Sequence, residues 1–419
     1  MSNQFTEEYL EANWKEWFLG IQGFFYFAQG VAIVAIIMLP IFMQDVLGLS
    51  ETEALSYYGT IMIPWAAKLV YGLLSDNVSF GKFGRRKPYI IIAGALGLFG
   101  WIYLPFITSF SPVFLVVGII LSLSVSLSDA VLDSLAVDIT PQKRRGSMQG
   151  IGWGMRGLGM AIAGAILGLI IDNVGWQLSY ILPGCMIVIS CIVVLFFPEP
   201  KISEEDKVVV TSWNDYKETF KKGSTWWVSL FMILSGTGIT VVAVFTTFIK
   251  AETTFTIEGI GWGVTAFALG QFFGAAVIGL SGDYLPVFPV LLGTTLVYGG
   301  LIGTMYLISG GSSLTIYVII VAVGAINGGY EATQMRIGME HSVGPIAGTS
   351  YNWFMSISNL GQLTLGTYLI ANVAEKIGFP SGMQIATAFL VLALIPGWIS
   401  IKLIKSKNEE SKKIKELSN

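Results

Sequence analysis

The chain has 419 residues, of which 53% are hydrophobic and only 12% are charged, and its mean hydropathy is +0.69. Soluble globular domains carry about 25% charged residues, so this composition argues against an ordinary soluble protein and indicates a membrane protein. Both cysteines, Cys185 and Cys191, lie in one apolar run, which argues against a disulfide framework or a cysteine metal site.

Apolar runs recur along the whole chain, and each is long enough for a tilted transmembrane helix, which needs about 20 apolar residues. The expected spans are 18–44, 52–75, 88–108, 112–137, 146–172, 176–197, 224–250, 256–282, 285–308, 312–338, 347–373 and 380–404. We therefore predict an all-α membrane protein with twelve transmembrane helices in two groups of six.

A polar stretch near the midpoint of the chain separates the two groups of spans. It reads PEPKISEEDKVVVTSWNDYKETFKKG and carries charges of both signs, which is typical of a solvated linker. The predicted organisation is an N-terminal bundle at 1–197, a cytoplasmic linker at 198–223, a C-terminal bundle at 224–404 and a cytoplasmic tail at 405–419.

Basic residues alternate between the loops in a way that predicts the orientation in the membrane. If both termini are cytoplasmic, the inner loops carry Lys82, Arg85, Arg86, Lys87, Lys143, Arg144 and Arg145. The opposite side then carries only Lys250 and Lys376. By the positive-inside rule we expect a multi-pass protein of the plasma or inner membrane with both termini in the cytoplasm.

The two halves of the chain repeat each other at an ungapped offset of 202 residues. Asp129 aligns with Glu331, and Asp138 aligns with Glu340, so the spacing of nine between the acids is kept in both halves. Glycines align as well, for example Gly164 with Gly366. This repeat predicts that the two groups of helices are pseudo-symmetric.

The first cytoplasmic loop carries an ordered motif. Residues 72–89 read GLLSDNVSFGKFGRRKPY, with Gly72, Asp76 and then the run Gly84, Arg85, Arg86, Lys87. This pattern resembles the Gly-x-x-x-Asp and Gly-Arg-Arg/Lys signature of the major facilitator superfamily. The resemblance covers essentially the whole chain and implies the major facilitator fold, with two pseudo-symmetric six-helix bundles.

Several charged residues at the helix ends could form a cytoplasmic gate. Asp76, Arg85 and Arg86 belong to the loop motif, and a carboxylate at a helix end can hold a basic loop in one state and release it in another. Asp138 and Glu340 also sit at helix ends, where a solvated or gate salt bridge is expected. An ordinary positive-inside loop remains an alternative interpretation of the basic residues.

Six ionisable residues fall well inside the expected spans, and their signs balance. They are Lys68, Asp129, Asp133, Arg156, Glu331 and Arg336. Each costs at least about 2.5–3.5 kcal/mol at the bilayer centre if it faces lipid, so we expect them to face a cavity or each other. Counting about 1.5 Å per residue from the cytoplasmic helix ends places Lys68, Asp129 and Arg156 at similar depths near the midplane.

Asp129 and Asp133 are four residues apart and therefore share a helix face. They can share Lys68 or Arg156 as a partner, or they can share a proton. A salt-bridge network that only holds the bundle together is the alternative. Charged groups near the midplane at a repeat interface are, however, where secondary transporters place substrate and coupling-ion sites.

A second resemblance rests on the first six helices only. The run 124–159 contains Asp129, Asp133, Trp153 and Arg156, and the second span contains Pro64–Trp65 followed by Lys68. These residues are similar to motifs of the folate–biopterin transporters and of the muropeptide and acetyl-CoA permeases. Arg336 has no counterpart in that pattern.

We expect a secondary active transporter that moves a polar, anionic organic solute by alternating access, with proton-coupled symport. Lys68, Arg156, Arg336 and Gln29 are the expected solute contacts, and Asp129, Asp133 and Glu331 are expected to carry the proton or to balance the cations. No Walker loop, catalytic triad or metal-ligand pattern is visible. We therefore expect no enzyme activity and no cofactor, metal or nucleic-acid partner, only a solute, protons and the bilayer around a monomer.

Two other functions remain open at this level. The chain could be a transporter-fold protein that acts as a membrane assembly factor, as in light-harvesting assembly factors that resemble the same branches. It could also be a sugar–cation symporter, although such sites do not usually need three embedded cations.

Overall fold

The computed structural model describes residues 7–78, 80, 84, 86–141, 144–196, 213–281, 285–308, 311–342 and 347–418. The described residues form eighteen α-helices, joined by short turns and a few irregular helical segments. The expected all-α membrane protein is confirmed.

The first half of the chain contributes nine α-helices. They are α1 (Glu7–Asn13), α2 (Trp17–Ile37), α3 (Leu39–Asp45), α4 (Glu51–Ile61), α5 (Lys68–Asn77), α6 (Lys87–Tyr103), α7 (Pro112–Ile139), α8 (Arg145–Asn173) and α9 (Trp176–Val194). Local sequence sets several of these ends. Pro112 is in the first turn of α7, and Ser50 and Glu53 form a reciprocal capping box at the start of α4.

The second half contributes the other nine. They are α10 (Trp213–Lys221), α11 (Gly223–Gly238), α12 (Val241–Glu252), α13 (Ile257–Ser281), α14 (Val287–Gly303), α15 (Ser313–His341), α16 (Ala347–Asn359), α17 (Gly366–Ile377) and α18 (Phe379–Ser418). Helix α10 forms the last part of the expected linker, whose residues 198–212 lie outside the described residues. The boundaries of the two bundles, the linker and the tail stay a prediction.

Within the described residues, ten helical segments are long and apolar enough to cross a membrane. Each coincides with one of the expected spans to within several residues. The other two expected spans, 52–75 and 347–373, are divided into shorter helices. The exact number of twelve spans therefore stays a prediction.

Each of these two divided spans contains a short irregular helical segment at the point where it is interrupted. In the first, Pro64 opens a 3₁₀ segment (Ile63–Ala67) between α4 and α5, because proline suits the start of a helical segment and cannot donate an amide hydrogen bond. In the second, the run Leu360–Leu365 forms a π-helical turn between α16 and α17. Such turns change the direction in which the side chains point and are frequent at functional sites.

Glycines let helices of the first half approach until their backbones touch. A Cβ atom added at Gly30 on α2 would lie 2.2 Å from the carbonyl oxygen of Arg156 on α8. One added at Gly159 on α8 would lie 2.3 Å from the carbonyl oxygen of Phe27. Small residues at such crossings are the usual device for close helix packing in membranes.

The same device joins the two halves of the chain. Helix α8 crosses α13, and a Cβ atom at Gly261 would lie 2.2 Å from the carbonyl oxygen of Gly164. Thr265 adds a hydrogen bond across this crossing, because its hydroxyl donates to the carbonyl oxygen of Ala161 at 2.6 Å. A larger side chain at Gly164 or Gly261 would hold the two halves apart here.

Further contacts between the halves lie toward the same end of the molecule. Lys250 at the end of α12 forms an ion pair with Asp45 at the end of α3. The hydroxyl of Thr246 donates to the carbonyl oxygen of Ile37 at 2.7 Å, and that of Thr364 donates to the carbonyl oxygen of Gly59 at 3.1 Å. We call the end that contains Asp45 and Lys250 the closed end.

We predict that Gly164→Leu prevents the closed end from closing. The added side chain meets backbone atoms of Gly261 and Thr265. Overpacking of this kind costs about 1–3 kcal/mol, which shifts a conformational equilibrium by about 5- to 150-fold. The distance between spin labels at Glu51 and Thr254, both exposed at the closed end, should increase.

The matched control is Gly300→Leu on α14, because a Cβ atom at Gly300 meets nothing within 4 Å. That variant should keep the label distance of the parent protein. An unchanged distance in Gly164→Leu would contradict the role given to the crossing of α8 and α13.

Candidate functional site

A cavity of about 1190 Å³ lies between the two halves of the chain. Its walls include residues from α2, α5, α7 and α8 of the first half and from α13, α15 and α16 of the second. Thr140, Met148 and Glu340 also line it, and these residues lie near the expected cytoplasmic loops. The cavity thus extends toward the end opposite the closed end. We call this space the chamber.

Five of the six embedded charged residues meet around the middle of the chamber, and the sixth lines it nearer the expected cytoplasmic side. The central pair is formed by Lys68 at the start of α5 and Asp129 on α7, whose side chains are 12% and 3% exposed. Gln29 on α2 donates from Nε2 to the other carboxylate oxygen of Asp129 at 2.5 Å. A buried carboxylate is tolerated when a cation and further donors satisfy it, and Asp129 has both.

Asp133 lies one helical turn below Asp129 and has a different partner. The hydroxyl of Tyr26 on α2 donates to its carboxylate. Tyr26 is a buried side chain that lines the chamber, whereas Asp133 is only partly buried. The two neighbouring acids are therefore distinguished by their partners, since one meets a cation and the other a neutral hydroxyl.

Arg156 on α8 is a chamber cation that has no fixed counter-ion among the described residues. Its guanidinium lies over the ring of Trp153, with 4.9 Å between Cζ and the ring centroid. Within the described part of the chain it forms no ion pair. It is nevertheless close enough to Asp129, Asp133 and Glu331 to interact with all three electrostatically. Arginine presents five donors in a planar fork, so this position can bind a carboxylate or phosphate.

Glu331 on α15 is the chamber acid of the second half. Gln271 on α13 donates to it from Nε2 at 2.8 Å, and Gln362 in the π-helical turn donates at 3.2 Å. The backbone of that turn is itself held, because the Thr240 hydroxyl donates to the carbonyl oxygen of Gln362. Glu331 is thus oriented by neutral amides and not by a cation.

Arg336 lies closer to the end of α15 than the other expected solute contacts. It lines the chamber, and its Nε donates to Glu340 on the next helical turn at 2.9 Å. Both side chains are about one-third exposed, so the pair lies at the mouth of the chamber and not at its centre.

The other expected gate residues are only partly described. Arg86 is buried and donates from Nη1 to the hydroxyl of Ser75 at 3.0 Å, which ties the first loop to α5. Arg85 lies outside the described residues, as do Lys82 and Lys143, and the structure does not describe the side chains of Asp76 and Asp138. The gate stays a prediction.

Aromatic rings from both halves line the chamber. Trp153 of α8 and Phe272 of α13 both line it and are 41% and 42% exposed. Phe272 lies against the glycine face of α8, since a Cβ atom at Gly157 would be 3.5 Å from its ring. The chamber therefore offers apolar, flat surfaces beside the Arg156 guanidinium.

The charged residues of the chamber could be predicted from the sequence, but Tyr26, Gln271 and Gln362 were not among the expected site residues. Only the position of Gln271 in the repeat could have indicated its role. Gln271 is the neighbour of Gly270, which aligns with Lys68 at the 202-residue offset, so it occupies nearly the repeat position of the lysine. Tyr26 was one aromatic among several near the start of the chain, and its sequence context did not single it out.

We predict that Lys68→Met destabilises the protein and that Lys68→Met combined with Asp129→Leu largely restores its stability. Removing one partner leaves an uncompensated buried charge, which costs about 3–5 kcal/mol, whereas replacing both by apolar groups is often nearly neutral. The melting temperature of purified protein in detergent measures both effects.

Lys250→Met is the matched control, because its ion pair with Asp45 is partly exposed and should contribute less than about 1 kcal/mol. A Lys68→Met protein that is as stable as the parent would contradict the structural role of the Lys68–Asp129 pair.

Comparisons with known proteins agree with this architecture. The chain is 32% identical over 151 residues to a folate-biopterin transporter of Synechocystis sp., an alignment that covers 35% of this chain and 30% of that relative. The match thus spans less than a third of the relative's length.

Two solved structures have the same fold. A variant of the nucleoside transporter NupG superposes with a TM-score of 0.72 at 13% identity, covering 91% of this chain and 99% of that one. A D-xylose-proton symporter gives a TM-score of 0.71 at 13% identity, covering 91% and 96%. The model of the Major Facilitator Superfamily matches residues 18–249, which is more than half of the sequence. The chain belongs to the major facilitator superfamily and resembles its folate–biopterin transporters.

Proposed function

We propose that this protein is a secondary active transporter that moves a polar organic anion across the cell membrane, in symport with protons. The single observation that supports this most is Arg156, a cation in a membrane-embedded chamber with no ion-pair partner among the described residues. A permanent guanidinium in such a place is costly unless negative charge lies near it, and the acids near Arg156 all have other hydrogen-bond partners. A transported anion would accept hydrogen bonds from this guanidinium directly.

The chamber also suits a solute that carries a flat ring beside its anionic group. Trp153 stacks against the Arg156 guanidinium, and Phe272 stands on the other half of the chain. Flat rings gain about 0.5–1.5 kcal/mol from aromatic contacts beyond the burial of their area. Folates and pterins combine a flat heterocycle with polar or carboxylate groups, so they are the first solutes to test, in line with the name of the Synechocystis relative.

Alternating access would follow from the contacts between the halves. The α8–α13 crossing and the Lys250–Asp45 pair lie toward the closed end, and the chamber extends toward the other. We propose that the halves rock about the chamber, so that these contacts break when the opposite end closes. With both termini cytoplasmic, the conformation described here would face the cytoplasm.

Binding gives the most direct test of the proposal. Purified protein is screened by thermal shift against folates, pterins, peptidoglycan fragments, nucleotides and sugars, and uptake of the binding solute into proteoliposomes is then measured with and without an inward proton gradient. We expect stabilisation by an anionic solute and faster uptake under the gradient. Stabilisation by neutral sugars alone would favour a sugar–cation symporter.

We predict that Arg156→Gln weakens binding of the anionic solute by about 10- to 100-fold, because a hydrogen bond to a charged group contributes about 1.5–3 kcal/mol. Arg156→Lys should lie between the parent and Arg156→Gln, since lysine keeps the charge and loses the planar fork. The dissociation constant from the thermal-shift titration is the measurement.

The matched control is Lys402→Gln on α18. Lys402 also lies over a tryptophan ring, at 5.0 Å from the centroid of Trp398, but neither residue lines the chamber. Binding should be unchanged in that variant. If no solute binds or crosses, and a stable protein partner copurifies instead, the chain is better explained as an assembly factor with a transporter fold.

A further inference from the structure

The two repeat-related acids of the chamber have different electrostatic surroundings. Asp129 and Glu331 align at the 202-residue offset. Asp129 lies on α7 and Glu331 on α15, and both line the chamber. Asp129 forms an ion pair with Lys68. Glu331 receives hydrogen bonds from the amides of Gln271 and Gln362. The same position of the repeat is therefore charge-balanced in one half and held by neutral donors in the other.

The difference arises at one side chain. At the same offset Lys68 aligns with Gly270, and the neighbouring Gln271 donates to Glu331 much as Lys68 donates to Asp129. The second half thus keeps the helix-to-helix contact and replaces the ammonium by an amide. Glu331 forms no ion pair within the described residues.

The charges of the chamber then leave one carboxylate unbalanced. Arg336 and Glu340 offset each other at the mouth. Deeper in the chamber, the described residues include two cations, Lys68 and Arg156, and three acids, Asp129, Asp133 and Glu331. Lys68 and Arg156 both lie close enough to Asp133 to act on it electrostatically. Among these described residues, the first half contributes two cations and two acids, and the second half contributes one acid and no cation.

Among the described residues, Arg156 is the cation that acts on Glu331. The groups that face it are Arg156 from α8, Tyr298 from α14, Asn327 one turn earlier on α15, and the two glutamines. Of these only Arg156 is a cation, and it lies on the other half and faces Asp129 and Asp133 as well.

We propose that Glu331 is the carboxylate that carries the coupling proton, and that binding of the anion to Arg156 promotes the protonation of Glu331. This inference rests on the proposed transport function. A hydronium ion on one side of the membrane loses a proton, so that one of its O–H bonds breaks as the O–H bond of the carboxylic acid forms. On the other side the acid transfers this proton to a water molecule, which restores the carboxylate and forms hydronium. A bound anion neutralises the positive charge of Arg156, which otherwise stabilises the ionised form of Glu331. A second negative charge on Glu331 is then disfavoured in the low-dielectric chamber.

Glutamine is a better partner than lysine for an acid that must gain and lose a proton. An amide carries both a donor group and an acceptor oxygen, so after rotation it can accept from the protonated acid, whereas an ammonium group can only donate. A lysine at this position would favour the ionised form of the acid, because an ammonium group donates to a carboxylate and attracts its negative charge. Gln271 and Gln362 can satisfy Glu331 in both states.

The test is a pH-difference infrared spectrum of the purified, reconstituted protein, taken between mildly acidic and mildly alkaline buffer. The parent protein should show the carboxylic C=O stretch of an acid that titrates. The band should disappear in Glu331→Gln and remain in Asp129→Asn, the matched change at the repeat-related position. Persistence of the band in Glu331→Gln, or its loss in Asp133→Asn instead, overturns the assignment.

A second variant keeps the test decisive if Glu331→Gln folds poorly. Gln271→Lys copies the first half of the repeat while leaving Glu331 in place, and it should remove the band because the new ammonium holds the acid ionised. A band that survives in Gln271→Lys would also overturn the assignment.

Uptake provides the functional readout, with radiolabelled folate as the probe. An imposed proton gradient should accelerate uptake by the parent protein, and the ratio of rates with and without the gradient should fall to about one in Gln271→Lys. A parent protein that neither binds nor moves folate would count against this solute in the proposed function. The infrared band decides the assignment of Glu331 independently of that result.

Discussion

A charged side chain inside a bilayer is stable only when another group balances its charge or water reaches it, and this constraint organises the centre of the molecule. The ion pair of Lys68 and Asp129 satisfies it inside the first half, with Gln29 as a further donor. Arg156 and Glu331 satisfy it only by facing the chamber. We propose that the balanced pair is a fixed part of the scaffold and that Arg156 and Glu331 respond to a ligand and a proton.

The helices that supply these charges also join the two halves of the chain. Helix α8 carries Arg156 and, two turns further on, the Gly164 crossing with α13. The segment that carries Lys68 is bound to the second half as well, since the backbone amide of Leu69 donates to Ser356 at 3.0 Å. A solute that changes the position of α8 would therefore also act on the contact that holds the closed end together. In the proposed transport cycle, this arrangement would couple binding of the solute to rocking of the halves.

Both interrupted spans bring irregular backbone to the chamber. Irregular backbone at membrane depth is tolerated only where protein or a water-filled cavity satisfies its polar groups. The 3₁₀ segment at Pro64 ends where Lys68 begins α5, and the carbonyl oxygen of Trp65 in that segment accepts from Asn359 at 3.2 Å. The π-helical turn contains Gln362, whose side chain reaches Glu331. Each interruption thus positions one partner of a repeat-related acid. The first positions Lys68 for Asp129, and the second positions Gln362 for Glu331.

The sequence by itself determined the expected spans, the repeat, the superfamily and the need for Lys68, Asp129, Asp133, Arg156 and Glu331 to avoid lipid, because hydropathy, offset and charge are properties of the chain. Only the tertiary structure decided that Lys68 pairs with Asp129 and not Asp133, that Arg156 has no fixed counter-ion within the described residues, and that Arg336 pairs with Glu340 at the mouth. It also decided that Tyr26, Gln271 and Gln362 are the partners of the remaining acids. The spacing of two residues along a helix determines whether their side chains lie on the same face. Which faces of two helices distant in the chain meet depends on how the helices are rotated and where they cross, and the spacing does not determine this.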